Sequence, residues 1–502
     1  MTRYDVVIVG SGPTGGLAAG VFGEAGLKVL VLDAGPGALE HRAVSAYDAA
    51  RRRFGYRIEE DPAAIRRQRI QSNNYAWPTD PHAFVDDVDN PYTAAPEQPF
   101  GWIRCRRIGG RMTVRRHGLQ FYRFSDLDFT AGARDGASES WPISYEDIAP
   151  YYDRIERWMK LSGTHERLPQ LPDAQLAEEV APSPALGVLD RAIRRTWKDR
   201  RAIPCRTAAP PLPIHQALRR GSCTLRPNAT VTQVLTDPAT GRVSGVRYVD
   251  RRTHRDHEVR ARVAILCASP IESARLLLAS ATPQHPAGLA NSSDLVGRYL
   301  MDHIHLGGIN ADMPIAARDE RPAAWGYIPQ FRNVCSPSGD FVRGYGVQVF
   351  TEGSQCAFTA FGEMLPHRDN RVTLDPDVKD RWGMPAARIA CAWRDNDRAL
   401  ARDAADQACA MMAAAGFKIW RFNTEMSIPG LASHEMGTAR MSREPMTGVL
   451  NGFCQSWDVR NLFVMDGSCF VTQGVQNPTL TMLALAARSC DYALEEMRTG
   501  HI

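Results

Sequence analysis

A chain of 502 residues, 44% hydrophobic and 23% charged, can bury a large core and is long enough for two intimately joined domains. Its net charge of only +4 offers no basic surface for nucleic acid or an anionic membrane, and the triplet Arg51–Arg53 fits a solvated helix face. Eleven cysteines are scattered with no C-x-x-C and no metal-type pairing with histidine, as expected of free thiols in a reduced, cytoplasmic protein. The first residues enter a core strand directly, so no signal peptide is expected, and no apolar run approaches transmembrane length.

The opening stretch, YDVVIVGSGPTGGLAAGVFGEAGLKVLVLDAG, organises the rest. Val6 to Val9 is an apolar strand ending in Gly10, Gly12 and Gly15; a helix follows, then a second buried strand closing on Asp33. This is a βαβ unit with G-x-G-x-x-G spacing and an acid about twenty residues on, the pattern of a dinucleotide site. Gly10 permits the tight turn, and Gly12 lets backbone approach a pyrophosphate. Gly15 brings the helix close to the strand. The helix start, Gly12-Pro13-Thr14-Gly15, offers free N–H groups to phosphates, and Asp33 would accept from ribose hydroxyls.

Residues 36–100 lose periodicity, with short helical pieces such as 47–56, and form an excursion over the nucleotide domain. Trp77 and Phe84 are expected to pack there, a lid role being the lesser alternative. The pair Gly109–Gly110 is either a plain turn or a second set of backbone amides for a phosphate or flavin edge. Ser144 caps a helix with Asp147 in its first turn. Residues 163–220 make a long connection broken by a helix at 186–197. From Cys223 to 250 the short alternating segments predict an antiparallel meander, with Val231 near the adenine. A strand at 259–267 and a helix at 271–280 complete the first sheet. Segments at 344–350, 357–364, 371–374 and 387–393 predict an antiparallel sheet, covered by a helix at 396–415, as a substrate platform. The last part returns to the nucleotide domain: a strand runs into Asp466-Gly467-Ser468, and Asn477 as cap with Pro478 at the first helical position starts a long helix with Thr479 in its first turn. The N-terminus of that helix can stabilise negative charge on a reduced flavin.

GSGPTGG with Asp33, Gly109–Gly110, LVGRYLMDH, NRVTLDPDVKDRWGMP, HEMGTARM and NPTLTMLALAAR occur in this order. Together they resemble the glucose–methanol–choline oxidoreductases, most closely the branch of pyranose oxidases and bacterial sugar or glycoside oxidoreductases. The resemblance implies an α/β fold, a Rossmann-like FAD-binding domain with an inserted α+β substrate domain on a mostly antiparallel sheet. The expected parts are 1–305 and 431–502 for FAD and 306–430 for substrate. FAD would contact Gly10, Gly12, Pro13, Thr14, Gly15, Asp33, Gly109, Gly110, Val231, Asp466, Gly467, Asn477 and Thr479. The resemblance also makes His434 the base and Asn477 its partner in oxidising an alcohol. Pyranose oxidases attach FAD through a histidine shortly after the Gly-Gly pair; Val114 stands there, which implies non-covalent FAD. Arg115-Arg116-His117 departs from the Trp-rich sequence of relatives.

The expected activity is oxidation of a secondary hydroxyl of a sugar or glycoside to a ketone, with oxygen or a quinone taking the electrons. Gln348, Thr351 and Phe361 are candidate substrate contacts, with strand packing as their alternative reading. Other alcohols, a lyase acting on cyanohydrins with FAD as scaffold, and a non-catalytic flavoprotein module stay open, as does a homo-oligomer.

Overall fold

Two sheets of different character organise the chain, which the computed structural model describes at residues 3–37, 62–74, 76–77, 80–114, 119–314 and 324–502. Arg51–Arg53, the helical piece at 47–56 and Arg115-Arg116-His117 lie outside the described residues. In the first sheet, strand Arg3–Val9 pairs in parallel with Val29–Leu32 and with the end of Asp256–Leu266. Helix Pro13–Glu24 connects the first two, completing the expected βαβ unit. Val6, Val7, Ile8, Leu30, Val31 and Leu32 have no exposed surface. Successive strand residues point to opposite faces, so both faces are covered, and unbroken apolar runs follow from that.

Leu462–Val464 joins this sheet in parallel beside Asp256–Leu266, and the hairpin Ala229–Thr236 with Val243–Asp250 extends it antiparallel. Thr224–Arg226, expected in that meander, instead pairs in parallel with Val29–Leu32. The chain then turns at Asn228, φ +56°, and Ala229 N–H bonds the Asp33 carbonyl at 2.9 Å, which carries it away from the hairpin's register.

The second sheet has six strands, all antiparallel to their neighbours: Lys418–Met426, Ile304–Asp312, Gln355–Gly362, Tyr345–Glu352, Ala324–Ile328 and Ile203–Pro204. Helices Asp395–Ala414 and Pro184–Thr196 bury Leu400, Ala404, Met411, Leu186 and Leu189 with Val347 and Phe358 in a core separate from the first. The fold is the expected α/β class with a mostly antiparallel second sheet.

Two segments predicted for this sheet lie elsewhere. Arg371–Lys379 and Pro385–Ala390 form a small sheet with Tyr92–Ala94. Arg275, on helix Pro270–Ala279, holds them against the first core by donating to the Pro385 carbonyl at 2.7 Å and to Asp380 at 2.8 Å. Alternating polarity marks a strand without saying which sheet it joins.

Helix Tyr145–Met159 starts as expected, with Ser144 and Asp147 bonding reciprocally. All eleven cysteines are unpaired. No described helix is long and apolar enough to cross a membrane. Trp77 and Phe84 are buried together with Ala76, Ala83 and Ile103, and Trp77 Nε1 donates to Gln68 at 2.9 Å. A packing role predicts that Trp77→Ala costs about 3–5 kcal/mol in urea unfolding with KM unchanged; a lid would raise KM instead.

Candidate active site

The glycine turns define one end of the site. A Cβ on Gly10, φ +97°, would sit 2.3 Å from the Cys267 carbonyl oxygen, and one on Gly15 would sit 2.0 Å from the Gly10 oxygen. Both positions therefore demand glycine for the turn and for close packing. Gly12 is different: at φ −60° a Cβ there would meet nothing within 4 Å. The helix it begins, with Pro13 first and then Thr14, has no side-chain cap, so its first N–H groups are left for a ligand.

Gly109 and Gly110, at φ +88° and +59°, form a second turn facing the first; a Cβ on Gly110 would come within 3.2 Å of Gly12 Cα. The two turns are tied through Ser11, which accepts from Gly109 N–H at 3.0 Å and donates its hydroxyl and amide to Asp33 at 2.5 and 2.8 Å. Asp33 also accepts from Gly35 N–H at 2.6 Å. About one of the four acceptor positions of a carboxylate then remains for a ribose hydroxyl. Val231 is buried two residues past Ala229, beside Asp33.

Asp466 is committed internally. It accepts from Ser269 N–H at 3.1 Å, Ser273 Oγ at 2.6 Å, and the amide and hydroxyl of Ser468, and burial raises its pKa. It pins the turn whose Gly467 and Ser468 carbonyls accept from Gly437 and Ala439, just past His434.

The other end is built around that histidine. Asp302 accepts the backbone N–H groups of Gly430, Ala432 and His434 at 2.7, 3.2 and 2.9 Å, shaping the loop. Burial and the nearby Glu435 push the Asp302 carboxyl up to about 7. Arg111, directly after the second glycine turn, grips Glu435 with two bonds at 2.7 and 2.8 Å and the Ser433 carbonyl at 2.6 Å. This couples the nucleotide end to the His434 loop. His434 Nδ1 lies 2.8 Å from His303 Nδ1, the rings at 84°, and His303 Nε2 lies 2.9 Å from the Gly474 carbonyl oxygen. Burial, then His303, Arg111 and His305, hold the His434 pKa well below its usual 6.5. Burial lowers His303 and His305 to about 4 each.

The second sheet supplies the floor. The Phe361 ring lies 5.7 Å from His434 and 4.9 Å from His305. Gln348 sits opposite Thr359, and Phe361 opposite Gly346, so Gln348 and Phe361 share one face. Gln348 Nε2 donates to Asn477 Oδ1 at 3.2 Å. That bond replaces the helix cap expected of Asn477: helix Thr479–Arg498 has Pro478 as its N-cap residue and no side-chain cap. Asn477 and Thr479 are half-buried between fully buried neighbours.

His434, Asn477, Gln348 and Phe361 thus meet at one place. Thr351 does not join them. Three positions from Gln348, it points to the opposite face, is buried, and donates to the Ala324 carbonyl. Asp302 and His303, within LVGRYLMDH, and Arg111 and Glu435 had no sequence-assigned role; an adjacent Asp-His in an apolar stretch and a charge beside each glycine or histidine motif were the available signals.

FAD suits these features. Two uncapped helix starts and two facing glycine turns accommodate a pyrophosphate and a flavin edge, and Asp33 keeps an acceptor for ribose. With its two-sheet architecture this fits an FAD-dependent oxidoreductase of CH–OH donors, the class to which the family matches assign the chain. Residues 210–305 and 366–486 match the two models of the GMC oxidoreductase family. The 2-methyl-1,2-propanediol dehydrogenase of Mycolicibacterium austroafricanum is 32% identical over 98% of this chain and 95% of its own. The fructose dehydrogenase large subunit of Gluconobacter japonicus is 26% identical over 99% of this chain and 98% of its own. A crystal structure of formate oxidase superposes with a TM-score of 0.66 at 13% identity, covering 99% of both chains, a likeness of fold. The chain belongs to the GMC oxidoreductases.

Proposed function

We propose that this enzyme oxidises a secondary hydroxyl of a sugar or glycoside to a ketone, with His434 as general base and Asn477 as hydrogen-bond donor to the same oxygen. Bound FAD supplies the hydride acceptor at its N5. Neutral His434 takes the hydroxyl proton as the C–H bond is broken, a contribution of about 10²–10⁴-fold. Gln348 occupies Asn477 Oδ1, which turns the Asn477 amide hydrogens toward the substrate oxygen and fixes the reacting carbon. Phe361 offers an apolar ring to the C–H face of a sugar, and His305 a polar edge beside it.

The observation that carries this reading is the approach of His434 to Phe361 and of Asn477 to Gln348, two side chains on one sheet face. Residues 306–430, without the 371–390 segment and joined by helix Pro184–Thr196 and strand Ile203–Pro204, then carry the substrate platform, and the rest of 1–305 with 431–502 holds FAD. Val114 packs beside the Trp77 cluster and offers no nucleophile, which supports non-covalent FAD. Oxygen or a quinone would reoxidise it.

A second reading, a small diol as substrate, is favoured by the 32% identity over nearly the whole chain to a diol dehydrogenase. The test is anaerobic mixing of the purified holoenzyme with free sugars, glycosides and small diols, followed by the flavin's visible absorbance. Bleaching by sugars or glycosides is expected, and bleaching by diols alone selects the second reading. Cyanide release from a cyanohydrin without bleaching, or no bleaching by any alcohol, overturns both. Readmitting air to a bleached sample shows whether oxygen is the acceptor.

A further inference from the structure

We infer that His303 is a positioning residue that decides which nitrogen of His434 carries a proton. The inference rests on the reading of His434 as base and adds how that base is set. A carbonyl oxygen can only accept, so His303 Nε2, 2.9 Å from the Gly474 oxygen, carries a hydrogen. His303 has no exposed surface and no carboxylate partner among the described residues, so it is neutral and its Nδ1 is a bare lone pair. Two bare nitrogens at 2.8 Å would repel, so the hydrogen between the rings belongs to His434 Nδ1. Neutral His434 is then left with one lone pair, on Nε2, directed away from His303.

The Gly474 carbonyl thus settles two protons in series, and only the resulting tautomer of His434 can take a proton from an alcohol. When it does, the new imidazolium keeps its Nδ1–H bond to His303. An imidazole acceptor orients the base without the negative charge that a carboxylate would bring. The charged and titratable groups facing the pair are Arg111 and Glu435 from the loops, Asp302 beneath the loop, and His305 on the adjoining strand. Arg111 opposes protonation of His434 as well.

Two substitutions separate orientation from mere packing. His303→Asn places an amide oxygen near the Nδ1 position and so keeps an acceptor for His434, but gives up the bond to Gly474. His303→Gln does the reverse. The Asn variant is expected to hold kcat within about tenfold of the parent, and the Gln variant to lose about 10²–10³-fold, with FAD content and KM unchanged in both. A purely structural role gives equal losses or the opposite order and overturns the inference. His303→Asp should move the acid limb of kcat/KM to higher pH, because a carboxylate stabilises the His434 imidazolium; an unmoved limb counts against it. Should these variants fail to fold, ¹⁵N-histidine spectra of the parent holoenzyme decide: a protonated Nδ1 and bare Nε2 at His434 are expected, and the opposite tautomer refutes it. Full turnover in His434→Ala sinks the base reading itself. Loss in His434→Ala with equal His303→Asn and His303→Gln variants sinks only this inference.

Discussion

His434→Ala should lower kcat on the best alcohol by about 10²–10⁴-fold while FAD stays bound at parental stoichiometry. The separation of effects follows from the anchoring. The loop is held by backbone bonds from Gly430, Ala432 and His434 to Asp302 and by the Arg111–Glu435 pair, none of which uses the imidazole. Truncation therefore removes the proton acceptor and leaves the loop in place. Stopped-flow flavin reduction measures the loss in the reductive step directly. Parental reduction rates would show that the proton leaves by another route. In the parent, a pKa held well below 6.5 keeps His434 uncharged as pH falls, so kcat/KM should hold its plateau below that value.

A comparably large effect is expected at the opposite end of the site, where two glycines two positions apart should fail in different ways. In Gly12→Val the added side chain enters open space at a φ of −60° that any residue tolerates, so the apoprotein should fold normally. That space is where the proposed pyrophosphate would meet the helix amides, and filling it should weaken FAD binding by about 10²-fold, in line with about 1–3 kcal/mol for overpacking. In Gly10→Ala, by contrast, the Cβ strikes the Cys267 carbonyl at 2.3 Å in a left-handed turn, and the first sheet itself should be compromised. Circular dichroism and flavin titration on the two variants make the comparison. Tight FAD binding by a folded Gly12→Val protein would remove the pyrophosphate from this turn.

The contrast between those glycines shows what was legible in the sequence. Gly10, Gly12 and Gly15 could be read because the turn at Gly10 and the approach of Gly15 to the Gly10 carbonyl lie within one strand–turn–helix, as the capping box at Ser144 lies within one helix start; the press of Gly10 against Cys267 could not. His434 and Asn477 were singled out through their motifs. The partners that orient them were not, since His303 lies 131 residues before His434, and only the fold sets one beside the other. Asn477 looked like a helix cap because its neighbours fit one; a tertiary bond from Gln348 overrode the local preference. Thr351 was misplaced by strand parity, and Arg371–Lys379 by a tether from Arg275 that no periodicity announces.

The pairing of Asp256–Leu266 with both Arg3–Val9 and Leu462–Val464 has a consequence for biosynthesis. A ribosome releases the first of these strands about 450 residues ahead of the last, so the nascent chain must wait with an unfinished parallel edge and its apolar side chains uncovered. Such a long-range closure slows folding and exposes the chain to aggregation, which makes production sensitive to synthesis rate, temperature and chaperone supply. It also means that a stop codon ahead of residue 462 would release a product lacking a fully buried strand of the first sheet rather than merely a tail.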